Sequence, residues 1–215
     1  MDNFNIKNSF DKVFQVFKNN YVLVPLEIFG NDPYKHSLKA VAYKTLVSTL
    51  MSARTNDNVT LEASKRLFAR AKNLEQLEQL DQLEIEKLIY PVGFYKTKTR
   101  HLQKLARTVL ADFNGVVPKT REELITLPGV GRKTANLVLN RAFGIPAIAV
   151  DTHVHRISNL LGWVKTKTPE QTEKELIKIL PKKYWPEVNR LFVSIGRQFT
   201  SKKKLVEFLK KEKLI

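Results

Sequence analysis

The sequence predicts an all-α fold, on two observations. Apolar residues recur at helical spacing along most of its 215 residues, a pattern that marks amphipathic helices. The segments so marked are joined by short connectors, with no repeat, low-complexity stretch or long linker between them, which favours compact helical packing.

Taken in order, Ser9 to Lys18 reads as an amphipathic helix through Phe10, Val13, Phe14 and Phe17. Tyr21 to Lys35, with Pro25, Gly30 and Pro33, reads as irregular. Lys39 to Met51 is mostly apolar and reads as a buried helix. Asn58 to Lys72, Leu74 to Gln79, Leu83 to Tyr90, Thr97 to Phe113 and Arg121 to Thr126 follow as helices with short breaks. Leu74, Leu77, Leu80, Leu83 and Leu88 are expected to face the core rather than form an oligomer zipper. Gly115-Val116-Val117-Pro118 is a connector. Arg132 to Phe143 reads as a helix with Gly144 as its stop, and Ala147 to Val150 as an extended, apolar return. His153 to Leu161, Pro169 to Ile179, Trp185 to Phe199 and Lys202 to Lys213 complete the helices.

Composition narrows the partner. Lys and Arg number 37 against 21 Asp and Glu, a formal charge of +16. An excess of that size favours a polyanion, because neutralised phosphates release counterions. Membrane surfaces and ribosomal RNA would tolerate it too, but no apolar run of about 18 residues could span a bilayer. The N-terminal MDNFNIKNSF lacks the charged and apolar regions of a signal peptide. Work in the cytoplasm, where DNA is, is therefore expected.

Leu127-Pro128-Gly129-Val130-Gly131-Arg132-Lys133-Thr134 is the most specific stretch. A Gly-x-Gly hairpin opening onto a helix points unpaired backbone N–H groups outward, where they suit a phosphate oxygen. Gly129 and Gly131 allow a tight turn and close approach; Arg132 and Lys133 add charge. The pattern matches neither a P-loop nor a dinucleotide-binding fingerprint. Gly129, Val130, Gly131, Arg132 and Thr134 are thus candidate contacts to nucleic-acid backbone.

Val150-Asp151-Thr152-His153 supplies the second half. The helix from Arg132 would run roughly 16 Å, and an extended return of six or so residues covers about 20 Å. Asp151 can therefore come back beside the helix start, where Lys133 lies. Lysine attacks as the free amine, and a helix N-terminus, Arg132 and partial burial would all favour that form. Asp151 could accept a proton, orient an attacking group or stabilise positive charge on a sugar ring. Such a pair on DNA suggests attack at the sugar C1′, loss of a base, a Schiff base and β-elimination. Judged alone, Lys133 could merely touch phosphate and Asp151 could simply cap a helix. His153 and His155 read as structural or phosphate-contacting, since no third metal ligand lies nearby. The lysines at 182–183, 202–204 and 210–211 read as solvated faces.

At these residues the chain resembles the helix-hairpin-helix DNA glycosylase superfamily, with LPGVGRKTAN and VDTH similar to endonuclease III in particular. The likeness covers roughly residues 40 to 200. Leu46 to Asp57 is similar to the segment lining the damaged-base pocket. Val92-Gly93-Phe94-Tyr95, with Lys96 and Lys98, is similar to the loop before a DNA-facing helix. The resemblance implies a two-lobed, all-α helix-hairpin-helix glycosylase fold with the active site in the cleft between lobes. Residues 37–143 would form a helical barrel carrying the motif (about 121–143), and residues 1–36 with 144–215 a discontinuous second domain. It implies Lys133 as Schiff-base nucleophile and Asp151 as catalytic carboxylate, facing each other across the lobe boundary. Arg54 stands where many relatives carry glutamine, at the position that fills the gap left by a flipped base. Phe94 would be a wedge from the opposite side, although without the resemblance it reads equally as a buried core ring. Lys96 and His153 join these as expected DNA contacts.

The implied activity is that of a bifunctional DNA N-glycosylase and AP lyase removing damaged, oxidised pyrimidines, with double-stranded DNA carrying damaged bases or abasic sites as partner and a monomer as the working form. Two alternatives stand beside it: a monofunctional glycosylase for alkylated purines, and a non-catalytic helix-hairpin-helix DNA-binding module. Most endonuclease III relatives hold a [4Fe–4S] cluster on four cysteines. This chain has no cysteine, so no iron–sulfur cluster, metal or other cofactor is expected, apart from a monovalent cation that the hairpin could hold. Thr200 follows Gly196-Arg197-Gln198-Phe199 where the first cysteine would stand. Ser201 to Ile215 reads instead as a lysine-rich amphipathic helix, expected to pack onto the terminal lobe in place of the cluster.

Overall fold

The computed structural model describes residues 3–22 and 37–215, and every regular element among the described residues is helical. In chain order these are α1 (Asn3–Asn19), α2 (Leu38–Ser52), α3 (Asp57–Arg70), α4 (Leu74–Gln79), α5 (Gln82–Ile89), α6 (Tyr95–Asp112), α7 (Arg121–Leu124), α8 (Arg132–Phe143), α9 (Thr152–Leu160), α10 (Pro169–Ile179), α11 (Trp185–Gln198) and α12 (Lys202–Lys211), with a 3-10 turn at Lys182–Tyr184. Local chemistry sets their starts. The side chains of Asn73, Asp81, Thr120 and Thr168 each accept a hydrogen bond from a first-turn amide, satisfying donors that a helix start leaves open. α8 stops where Gly144 turns left-handed and the Ile145 amide donates back to Leu139 O at 3.0 Å. The irregular stretch expected at 21–35 and the domain boundary expected at residue 36 lie for the most part outside the described residues.

The chain divides into two compact units, Pro25–Ile145 and Met1–Val24 with Pro146–Ile215. In the first, α2 is the central helix and packs on α3, α6 and α8, while α4 and α5 pack on α6. Its sequence is apolar on several sides, and Val41, Leu46, Val47, Leu50 and Met51 are all buried, as befits a helix enclosed on most faces. Leu74, Leu77 and Leu80 are buried as expected, but Leu83 is 67 % exposed and Leu88 only half-buried. Asp81 caps a new helix and resets the register, so α5 buries Ile85 and Ile89 instead.

The second unit is built on an aromatic cluster in which Phe10, Phe14 and Phe17 of α1 meet Trp163, Tyr184 and Phe192. Rings pack edge-on between Phe10 and Trp163, with centroids 4.6 Å apart, and stack between Phe14 and Tyr184 at 4.0 Å. α12 closes this core. Leu205, Phe208 and Leu209 are buried in it, and Phe208 stacks on Phe199 at 4.4 Å. Burying each such side chain stabilises the unit by roughly 1.5–3 kcal/mol.

Candidate active site

The hairpin is built from its apolar side inward. Leu124, Leu127 and Val130 are buried, and the Val130 amide donates to Leu127 O at 3.1 Å. These contacts fold Ile125–Gly131 into a turn between α7 and α8. Gly129 lies in the left-handed region (φ +79°), and a Cβ there would stand 2.7 Å from His101 Nδ1 on α6. Only glycine fits both constraints. Gly131 faces open space, with nothing within 4 Å of its Cβ position. As the N-cap of α8 it offers no side chain to the first-turn amides, and the helix dipole adds partial positive charge there. Val130 is buried, so only its main chain can meet a ligand.

Arg132 and Lys133 are exposed and Thr134 is half-buried in the first turn of α8. The partial burial expected of Lys133 is not found. The apolar stripe of α8, through Ala135, Val138 and Leu139, takes the buried face and turns Lys133 outward.

In the other unit, the return expected at 147–150 is non-helical, with Ile148, Ala149 and Val150 buried. Asn189 Nδ2 donates to Ala149 O at 3.0 Å and fixes it. Asp151 then caps α9, its Oδ1 accepting from the His153 amide at 3.0 Å and the Val154 amide at 2.9 Å. A cap of this kind holds the carboxylate in one orientation. His153 is half-buried and its ring covers Gly196, where a Cβ would stand 2.2 Å from Nδ1. His155 Nδ1 pairs with Thr172 Oγ1 at 2.6 Å, a structural contact.

Arg54 and Phe94 belong to the same unit as the hairpin, at the ends of two turns. Both are non-glycine residues in the left-handed region, with φ of 52° and 58°. Phe94 is 63 % exposed, which removes the reading of a buried core ring, and the Arg54 guanidinium carbon lies 5.8 Å from its ring centroid. Behind them α6 exposes Lys96, Arg100 and Lys104 at four-residue spacing, a basic stripe along one helix face. Lys98 departs from that stripe. It is 6 % exposed, and burial pushes its amine down to about 8. Neither this burial nor the place of His101 beneath Gly129 has a signal in the sequence.

The cluster implied by the family resemblance has no fit here. An iron–sulfur cluster needs thiolates, and the chain has none. At the end of α11 the Arg156 side chain donates to Thr200 O at 2.8 Å and to Gly196 O and Phe199 O at 3.2 Å, and α12 follows directly.

Comparison with known proteins accords with this geometry. Residues 47–182 match the model of the HhH-GPD superfamily of base excision DNA repair proteins. The chain is 44 % identical to endonuclease III of Thermotoga maritima over 80 % of each chain. It is also 44 % identical to endonuclease III-like protein 1 of Mus musculus, over 75 % of this chain and 55 % of that protein. Among solved structures, a non-covalent endonuclease III–DNA complex aligns with a TM-score of 0.77 at 34 % identity, covering 92 % of this chain and 86 % of that one. A trapped endonuclease III–DNA covalent intermediate aligns with a TM-score of 0.75 at 33 % identity, covering 92 % and 87 %. The chain belongs to the HhH-GPD superfamily of base excision DNA repair proteins, and within it to the endonuclease III type.

Proposed function

We propose that this endonuclease III-type DNA glycosylase and AP lyase acts on duplex DNA carrying oxidised pyrimidines or abasic sites, with Lys133 as nucleophile and Asp151 as the carboxylate of the reaction. The observation that carries the reading is the place of Lys133, exposed in the first turn of α8 immediately behind the open face of Gly131. A phosphate held at Gly131 brings the sugar of a nearby nucleotide within reach of that amine.

The Lys133 amine attacks C1′, the bond from C1′ to the base breaks, and the base leaves with its electron pair and takes up a proton. Asp151 stabilises the positive charge that grows on the sugar before the new bond is complete. The nitrogen gives up one proton, and its lone pair then opens the sugar ring: the C1′–O4′ bond breaks, O4′ takes up a proton, and the protonated Schiff base is left at C1′. Removal of a C2′ proton then expels the 3′ phosphate by β-elimination, and water releases the lysine.

Arg54 and Phe94 enter the duplex from the two turns that carry them, and Lys96 contacts backbone phosphate. The enzyme works as a monomer, in the compartment that holds the DNA, the cytoplasm. No described helix is long and apolar enough to cross a membrane.

A duplex with one oxidised pyrimidine tests the reading. Release of the free base together with a β-elimination nick is expected. Base release without a nick would point to a monofunctional enzyme, and binding without either to a non-catalytic module.

A further inference from the structure

Lys98 is a buried amine with a defined set of partners. From the first turn of α6 its Nζ donates to Met51 O at 2.7 Å, Ala53 O at 2.5 Å and Thr55 Oγ1 at 3.0 Å. An ammonium has three donors and no acceptor, so all three are used. The two carbonyls end α2, whose last turn contains no basic residue. Lys98 therefore supplies, from another helix, the cation that a helix C-terminus favours.

Thr55 extends the connection. Its Oγ1 also accepts from the Gly93 amide at 3.1 Å and donates to Ala53 O at 3.3 Å. Gly93 lies so close that a Cβ would stand 2.5 Å from Arg54 O. The turn carrying Arg54 and the turn carrying Phe94 are thus joined through one ammonium and one hydroxyl. Both turns hold a non-glycine residue in the left-handed region, a conformation that persists only where the surroundings impose it. Burial lowers the Lys98 amine to about 8, and the three acceptors around Nζ hold it in place.

We propose that Lys98 is a positioning residue: its ammonium locks the Met51–Thr55 turn to the Val92–Tyr95 turn and presents Arg54 and Phe94 to the duplex as one preset unit. This rests on the insertion role given to Arg54 above. Preset side chains lower the cost of opening the duplex around a base, whereas a site that has already lost its base needs less of that help.

Lys98→Met keeps the length of the side chain and removes its three donors. Excision of an oxidised pyrimidine from duplex should fall by about a hundredfold, the scale of a misplaced group in a preorganised site. Nicking of the same duplex with a preformed abasic site should change little, whereas general destabilisation would lower both. Arg54→Ala should lose excision comparably, and the Arg54→Ala/Lys98→Met double variant should lose no more than the worse single one, since both act as one unit. Losses that multiply would overturn the proposal and leave the role of Arg54 intact. Full excision by Arg54→Ala alone would overturn the insertion role and, with it, the proposal. If Lys98→Met does not fold, Thr55→Val removes one acceptor and the link to Gly93, and the same cycle applies.

Discussion

His101 lies directly against Gly129: a methyl group on that glycine would meet its Nδ1 at 2.7 Å, in a backbone already at φ +79°. The hairpin is thus shaped from beneath by α6 as well as by its own residues. Gly129→Ala should cost about 1–3 kcal/mol from the left-handed backbone alone, read as a lower Tm, and should weaken DNA binding as the turn shifts. His101→Ala in the same chain should recover the part caused by the clash. Equal stability of Gly129→Ala and wild type would contradict this packing.

Gly131 gives the opposite expectation. Nothing approaches its Cβ position, so Gly131→Asp should leave the Tm unchanged while putting a carboxylate where a phosphate belongs. Affinity for damaged and undamaged duplex should fall together, and wild-type affinity should drop steeply with salt. Binding indifferent to both changes would remove the hairpin from the DNA interface.

α12 should support the terminal unit in place of a cluster. Phe208→Ala should destabilise by about 3–5 kcal/mol and Leu205→Ala or Leu209→Ala by about 2–5 kcal/mol each. Removing residues from Ser201 onward should lower the Tm sharply. The purified protein should be colourless, contain no stoichiometric iron and keep its activity through exhaustive chelation. A truncated chain as stable as the full one would refute the replacement.

Lys98 gives stability a signature in pH. Its amine falls from the ordinary 10.5 to about 8 in the folded chain. Between those values the unfolded chain holds a proton that the folded chain has released, so stability rises with pH across the window. Below about pH 8 both states are protonated and the burial cost is constant. Wild type compared with Lys98→Met by denaturant unfolding should therefore gain stability from pH 8 to 10.5, by at most about 1.4 kcal/mol per pH unit. A difference flat over that range would contradict the burial of a titrating amine.

How legible this was in the sequence depended on how local the physics is. The bounds of α8 follow from glycine at each end and those of α10 from Pro169 behind Thr168, and both are found as expected. The cap at Asp151 is equally local. Leu83 was misplaced because the leucine spacing of α4 runs on past Asp81, where the chain starts a new helix with its own register. Lys98 was unreadable for another reason. In a basic helix it resembles the phosphate contacts around it, while its acceptors are 43 to 47 residues away. The exposure of Lys133 likewise depends on which face of α8 the core takes.

Borohydride trapping on abasic duplex DNA tests the proposed nucleophile most directly. Wild type should form a covalent adduct of one protein per strand. Lys133→Ala should form none while binding the same duplex with nearly unchanged affinity, and Asp151→Asn should still trap on abasic DNA but excise a damaged base slowly. A Lys133→Ala protein that traps as wild type does would contradict the assignment.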